Sequence, residues 1–295
     1  MPIRNPQPFC TWVSFPDPHH PFDCPLPWSK LHAPEDIDLP QHRQRDFDNR
    51  PWWHEAVLTS EPAGEKKHAE IRKQYSRISP QTDEQLREII ANTYGQIALI
   101  DHNLGRLMEA LDANGLAENT VVIYLSDHGD WLGDHGLILK GPMHYEGLLR
   151  VPLIARGPGV QANTVVSEPV STIDIAPTLF DYADCKAQLT QHGSTLRPLL
   201  EGKNKPRECA RAEWELLPTR AGVQLSLRLV RTKTHKLTID LISGAGELYD
   251  LVKDPDELKN VFDEPDYSEV RASLEEMIAQ RPDDATDLQV QVGLA

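Results

Sequence analysis

The chain contains no apolar run of about 18 residues and no signal-peptide core, so no segment of it is expected to span or cross a membrane. Its four cysteines are too few for a disulfide framework in 295 residues, and none has the Cys-x-x-Cys spacing of a zinc site. They read as buried or incidental thiols. Positive charge is also scarce. Against 45 Asp and Glu there are 30 Lys and Arg, and the net charge of −15 is the wrong balance for neutralising phosphates, so no nucleic-acid partner is expected. No internal repeat and no low-complexity tract is visible. What remains is an acidic chain with an ordinary 39% hydrophobic content, long enough for one large or two modest domains around a sizeable core. Cytoplasm is the default location, unless a leader lies ahead of Met1.

What is present centres on Ser126-Asp127-His128-Gly129-Asp130, preceded by the apolar run Thr120-Val121-Val122-Ile123-Tyr124-Leu125. A β-branched run bounded by turn residues predicts a buried strand, and polar residues at the carboxyl end of such a strand lie where open α/β sheets bind ligands. A carboxylate beside an imidazole offers a divalent cation one hard oxygen and one borderline nitrogen, and Gly129 lets the backbone turn away. Asp-His-Gly alone also suits a surface turn. Thirteen residues after Asp127, however, Lys140 opens a glycine-containing loop, Lys140-Gly141-Pro142-Met143-His144-Tyr145-Glu146-Gly147. A lysine there can bind an anionic ester oxygen or assist a leaving group.

The stretch from Tyr94 to Pro158, with Ile100-Asp101-His102-Asn103-Leu104-Gly105-Arg106-Leu107, Ser-Asp-His-Gly, Leu132-Gly133-Asp134-His135-Gly136 and Arg150-Val151-Pro152-Leu153-Ile154, resembles the sulfatase family of the alkaline phosphatase superfamily. The Asp-His pair followed by Lys140 looks most like the branch of arylsulfatases and phosphonate monoester hydrolases. Near the start, Trp12-Val13-Ser14-Phe15 and Pro18-His19-His20-Pro21-Phe22 resemble the family strand that ends in Pro-His-x-Pro, which maps an ester-contacting role onto His19. Near the end, Arg228 to Thr232, Lys236 to Thr238 and Glu247-Leu248-Tyr249-Asp250-Leu251 resemble its small C-terminal sheet.

The resemblance has a gap. The family carries a Cys-x-Pro-x-Arg or Ser-x-Pro-x-Arg segment, whose first residue becomes a formylglycine nucleophile, and before it a pair of aspartates. None of Cys10, Cys24, Cys185 or Cys209 is followed by Pro two and Arg four positions later. The expectation is therefore an N-terminally truncated member, from a split gene, a misplaced start or an inactive remnant, with exposed sheet edges that invite association.

The implied fold is an α/β, alkaline-phosphatase-like sandwich with a central mixed sheet lacking its N-terminal strands. Residues 1–204 would be the C-terminal part of the catalytic domain and 205–295 a small antiparallel-sheet subdomain, with a charged linker near 201–207. Within it, 9–15 reads as a strand and 31–80 as a polar excursion. The tryptophans Trp52 and Trp53 in that region, and Trp28 just before it, either contact a substrate or pin the loop. Leu86, Ile89, Ile90, Ile97, Ile100, Leu104, Leu107, Met108 and Leu111 predict an amphipathic helix over 82–114, with Thr82 or Asp83 as its cap and Gly115 beyond its end. Asp101 and His102 belong to that helix rather than to the site. Strands are expected at 120–125, 150–155, 223–231, 235–242 and 247–251, and a helix near 267–280. The tail beyond Arg281 has little to order it.

By resemblance, Asp127 and His128 are metal ligands and His19 and Lys140 catalytic groups. The cofactor would be a divalent cation, calcium or alternatively manganese. Formylglycine belongs to the family but its motif is absent. The partner would be a small sulfate or phosphonate ester, with a missing N-terminal half or a second copy of the chain as the macromolecular candidates. His20, His135 and His144 are further candidates with structural roles at least as plausible. Asp174 is explained by its place at a helix start.

Overall fold

The computed structural model describes residues 7–63, 80–187, 190–203 and 205–282. The chain forms two compact units, one from described residues within Met1–Asp46 and Glu70–Ala162, the other within Phe47–Ala69 and Asn163–Ala295. The linker near 201–207 falls inside the second unit. No helix among the described residues is long and apolar enough to cross a membrane.

In the first unit, a helix runs from Asp83 to Ala113. Its start is fixed by a capping box: the Thr82 hydroxyl accepts from the Gln85 backbone N–H at 3.2 Å and the Gln85 side chain accepts from the Thr82 N–H at 3.0 Å. Its end is Gly115, at φ +68°. Leu86, Ile90, Ala91 and Ile100 are buried, whereas Ile97 and Leu107 are 45% and 38% exposed, so the expected apolar stripe is covered only over part of its length. The buried part forms one core cluster with Ile37, Ile138 and Leu139. This cluster ties the helix to the loop that carries Lys140.

Strands β1 (Val122–Leu125) and β2 (Leu153–Arg156) pair antiparallel, with Tyr124 opposite Ile154. They lie close to the expected positions but are half-buried rather than core strands, and Ile154 is 62% exposed. A two-stranded sheet leaves each strand one free edge, so the apolar run that predicted full burial is covered on part of its surface only. The strand expected at 9–15 is a correction: the segment forms no strand and has no ladder partner, and Trp12 is 78% exposed. Extended backbone becomes a strand only when a neighbour supplies its hydrogen bonds, and no described strand lies beside this one.

The second unit holds a four-stranded antiparallel meander, β3 (Ala210–Leu216), β4 (Leu225–Arg231), β5 (His235–Asp240) and β6 (Gly246–Asp250). Strands β4 to β6 and the helix Ser268–Ala279 were legible. Strand β3 was missed, although Arg211, Glu213 and Glu215 alternate with Ala212, Trp214 and Leu216 at a strand's period of two. Those charges are paired: Arg228 donates to Glu215, and the Arg281 guanidinium bonds Glu213. Val230, Leu237, Leu248 and Leu274 close the core against the helix.

The segment from Phe47 to Thr59 packs into this unit. Trp53 is fully buried, Trp52 donates to Ser243 at 3.1 Å, and Arg50 donates to the Tyr249 hydroxyl at 2.6 Å. Trp52 and Trp53 therefore pin the excursion. Beneath them lies a buried polar chain in which Tyr249 donates to Glu247 at 2.8 Å, the His54 imidazole lies 3.1 Å from the same carboxylate, and Lys236 is paired with Glu257. Burial opposes ionisation of Glu247, but His54, the Tyr249 hydroxyl and the Lys236 ammonium outweigh it and pull the carboxyl down to about 2.

Two outcomes follow. Thr82→Ala removes one half of the capping box and costs about 1 kcal/mol, read by denaturant unfolding of the full chain. Glu247 is held ionised in the folded state, so its contribution is fully present above its ordinary value of 4.5 and is lost as pH falls toward about 2. The melting temperature of the wild type should therefore fall between about pH 5 and about pH 3, and Glu247→Gln should flatten that slope. An equal slope in the variant would refute the assignment.

Candidate active site

The site is built at the carboxyl end of β1, where the chain leaves the sheet at Ser126 and turns back on itself. The turn is set by Gly129. Its N–H donates to the Leu148 carbonyl at 2.8 Å, and a Cβ at this position would lie 2.0 Å from the carbonyl oxygen of Gly147. No side chain fits there, so residue 129 has to be glycine for the two backbones to meet. Glycine at this point was read from the sequence as freedom to turn. The requirement is instead close approach, and the partner that imposes it, Gly147, gave no signal of its own.

This fold-back brings Lys140 onto His128. The Lys140 Nζ lies 2.7 Å from His128 Nε2, and the opposite ring nitrogen, Nδ1, lies 2.8 Å from the Gly129 carbonyl oxygen. A carbonyl only accepts, so the proton sits on Nδ1 and the Nε2 lone pair faces the ammonium. Asp127 Oδ2 lies 3.4 Å from the same Nε2. The other carboxylate oxygen, Oδ1, accepts the His128 backbone N–H at 2.9 Å. Partial burial of the Asp127 carboxyl pushes its pKa up, but the His128 N–H, the imidazole and the Lys140 charge together hold it below the usual carboxylate value. With the Asp127 side chain 83% exposed and that of His128 35% exposed, these groups are open to a ligand.

Three of the four expected site residues thus stand together. His19 does not join them. Its contacts are with Pro16 and His20: the backbone N–H donates to the Pro16 carbonyl, Nδ1 lies 2.7 Å from the His20 carbonyl oxygen, and the two imidazoles stack at 4.0 Å. Of the further histidines, His135 is buried and stacks on Tyr145 at 3.6 Å, and His144 is 2% exposed. His102 lies against Trp28. In the second unit Asp174 is 1% exposed and accepts from the Ser171 and Ser194 N–H groups and from Arg207, each at 2.8 Å, which accounts for it structurally.

The donor chemistry suits a divalent cation in part. A carboxylate and an Nε2 lone pair both face a positive charge here, that of Lys140. They amount to two donors, however, and no group of three or more His, Cys, Asp and Glu among the described residues is arranged to hold a metal ion. A calcium ion takes about six or more oxygen-type ligands.

Residues 3–185 match the family model described as Sulfatase, and residues 133–284 match the model described as N-sulphoglucosamine sulphohydrolase, C-terminal. The chain is 30% identical to "Uncharacterized sulfatase YidJ" of Escherichia coli, over 97% of its own length and 53% of the relative's. It is 31% identical to an arylsulfatase of Clostridium perfringens, over 90% and 52%. Among solved structures it is similar to the phosphonate monoester hydrolase of Agrobacterium radiobacter, with a TM-score of 0.70 at 28% identity, covering 89% of this chain and 54% of that one. The chain spans about half the length of the curated relatives it matches. Sulfatases generally employ a divalent metal and a formylglycine. The matched positions run through the strand, the turn and the lysine loop just described, and the chain belongs to the sulfatase family.

Proposed function

We propose that the protein acts in the metal-assisted hydrolysis of sulfate monoesters. The observation that carries this reading is the Asp127–His128–Lys140 cluster, a carboxylate, an imidazole and an ammonium gathered at the carboxyl end of β1. Asp127 and His128 Nε2 would hold a divalent ion, calcium or manganese, which when bound would supply Lewis acidity toward a sulfuryl oxygen. Holding His128 with its proton on Nδ1 keeps Nε2 available as a donor. Lys140 would bind a non-bridging ester oxygen or stabilise charge on the departing one. His19 is assigned a similar role by resemblance, and its exposed ring is accessible to an anion. The nucleophile is not among these residues. With two metal donors and no Cys-x-Pro-x-Arg segment, the 295-residue chain alone should bind the ion weakly and turn over near background.

A second reading, hydrolysis of phosphonate or phosphate esters on the same scaffold, is favoured by the similarity to the phosphonate monoester hydrolase. The same carboxylate, imidazole and ammonium serve either centre. Their preference is measurable without turnover, by following the amide signals of residues 126–129 and 140 as 4-nitrophenyl sulfate or a 4-nitrophenyl phosphonate ester is added with calcium. The sulfate ester should bind more tightly, and Lys140→Met should weaken it by about tenfold or more, the loss of one charge-assisted hydrogen bond. Tighter binding of the phosphonate would favour the second reading. Binding indifferent to Lys140→Met would refute both assignments of the lysine. In the same assay Gly129→Ala, whose Cβ collides with the Gly147 carbonyl, should lose ester binding as Lys140→Met does.

A further inference from the structure

We propose that Asp130 is a positioning residue, whose carboxylate closes the loop that presents Lys140 to His128. The inference rests on the reading of Asp127, His128 and Lys140 as the site. One oxygen, Asp130 Oδ1, accepts two backbone N–H groups, from Leu132 at 3.0 Å and from Leu139 at 2.8 Å. The first bond shapes the start of the loop. The second staples the loop's end to its beginning, since Leu139 immediately precedes Lys140 and Asp130 follows His128 by two positions.

Leu139 needs such a staple. Its φ is +66°, a left-handed conformation that costs a branched L-residue free energy and persists only where the surroundings over-determine it. Three contacts do so here. Its N–H is held by Asp130, its carbonyl accepts from the Trp131 N–H at 3.2 Å, and its side chain is 4% exposed in the cluster with Leu86 and Ile90. The conformation at Leu139 sets the direction in which the chain enters Lys140. The result is a closed ring, from His128 through Gly129 to Asp130, across the carboxylate to Leu139, and back through Lys140 Nζ to His128 Nε2 at 2.7 Å. Without the Asp130 acceptor the Leu139 N–H loses its partner, the left-handed turn relaxes and the ammonium is no longer aimed at the imidazole.

The role demands an acceptor at one place and not a charge, which separates it from a general electrostatic effect. In the full chain, long-range proton–nitrogen correlation spectra at fixed pH should show His128 with its proton on Nδ1 in the wild type and in Asp130→Asn, whose amide oxygen can take the same two N–H groups. Asp130→Ala, and Asp130→Glu, which keeps the charge but moves the acceptor by one methylene, should each show a mixture of tautomers. In both, exchange of the Leu139 amide should accelerate by about tenfold or more. The glutamate variant serves if the alanine variant fails to fold. Unchanged His128 signals in either folded disruptive variant, or an Asn variant that behaves as they do, would overturn the inference while leaving the site reading intact. A wild-type His128 protonated on Nε2 would overturn both.

Discussion

The site depends on the contact between two stretches of backbone at Gly129 and Gly147. Where the carbonyl of one residue occupies the space a side chain would need at the other, the chain is held in a reversal that neither strand pairing nor helix packing could impose. The groups that give the site its chemistry lie at the mouth of that reversal, Asp127 and His128, and inside it, Lys140. The Gly129 carbonyl fixes the proton of His128, and the loop closed by the reversal delivers Lys140 to the other side of the same ring. An imidazole, a carboxylate and an ammonium then share a few ångströms at the carboxyl end of a strand, where the ends of α/β sheets commonly receive ligands.

The two units differ in how they hold polar groups. In the first, charge sits at the surface and is open to exchange with a ligand: the Asp127 side chain is largely exposed. In the second, charge is sealed in. Glu247, Lys236 and Glu257 are buried almost completely and matched to partners, and the tryptophan-bearing segment covers the sheet that carries them. Buried pairs of this kind contribute through the cost of breaking them more than through the strength of their attraction. Their place here is in the framework of the four-stranded sheet.

Much of this was legible from the sequence, and the exceptions have physical causes. The helix beginning at Asp83 announced itself because its period, its Thr82 cap and its terminal glycine agree, and β4 to β6 did so because their residues are β-prone and resemble the family's C-terminal sheet. The pairing of Asp127, His128 and Lys140 could be inferred from resemblance, but the tautomer of His128 could not, since it depends on a carbonyl one residue away and a lysine twelve residues away in one geometry. Strand β3 was missed although its charges alternate with Ala212, Trp214 and Leu216; the partners of two of those charges, Arg228 and Arg281, are distant in sequence. The apolar stretch from Phe9 to Phe15 shows the converse. Its composition is that of a strand, yet a strand is a relation between neighbours, and no described strand lies alongside it.

The proposed seat of a divalent cation at Asp127 and His128 can be tested directly. Manganese is the direct probe, because its unpaired electrons broaden the resonances of whatever lies near it. Titrated into the isotopically labelled chain, it should broaden the His128 ring and the amides of residues 126–129 first, at weak affinity, and Asp127→Ala should abolish that selectivity. Broadening that begins elsewhere, or that persists around His128 after the substitution, would contradict the assignment.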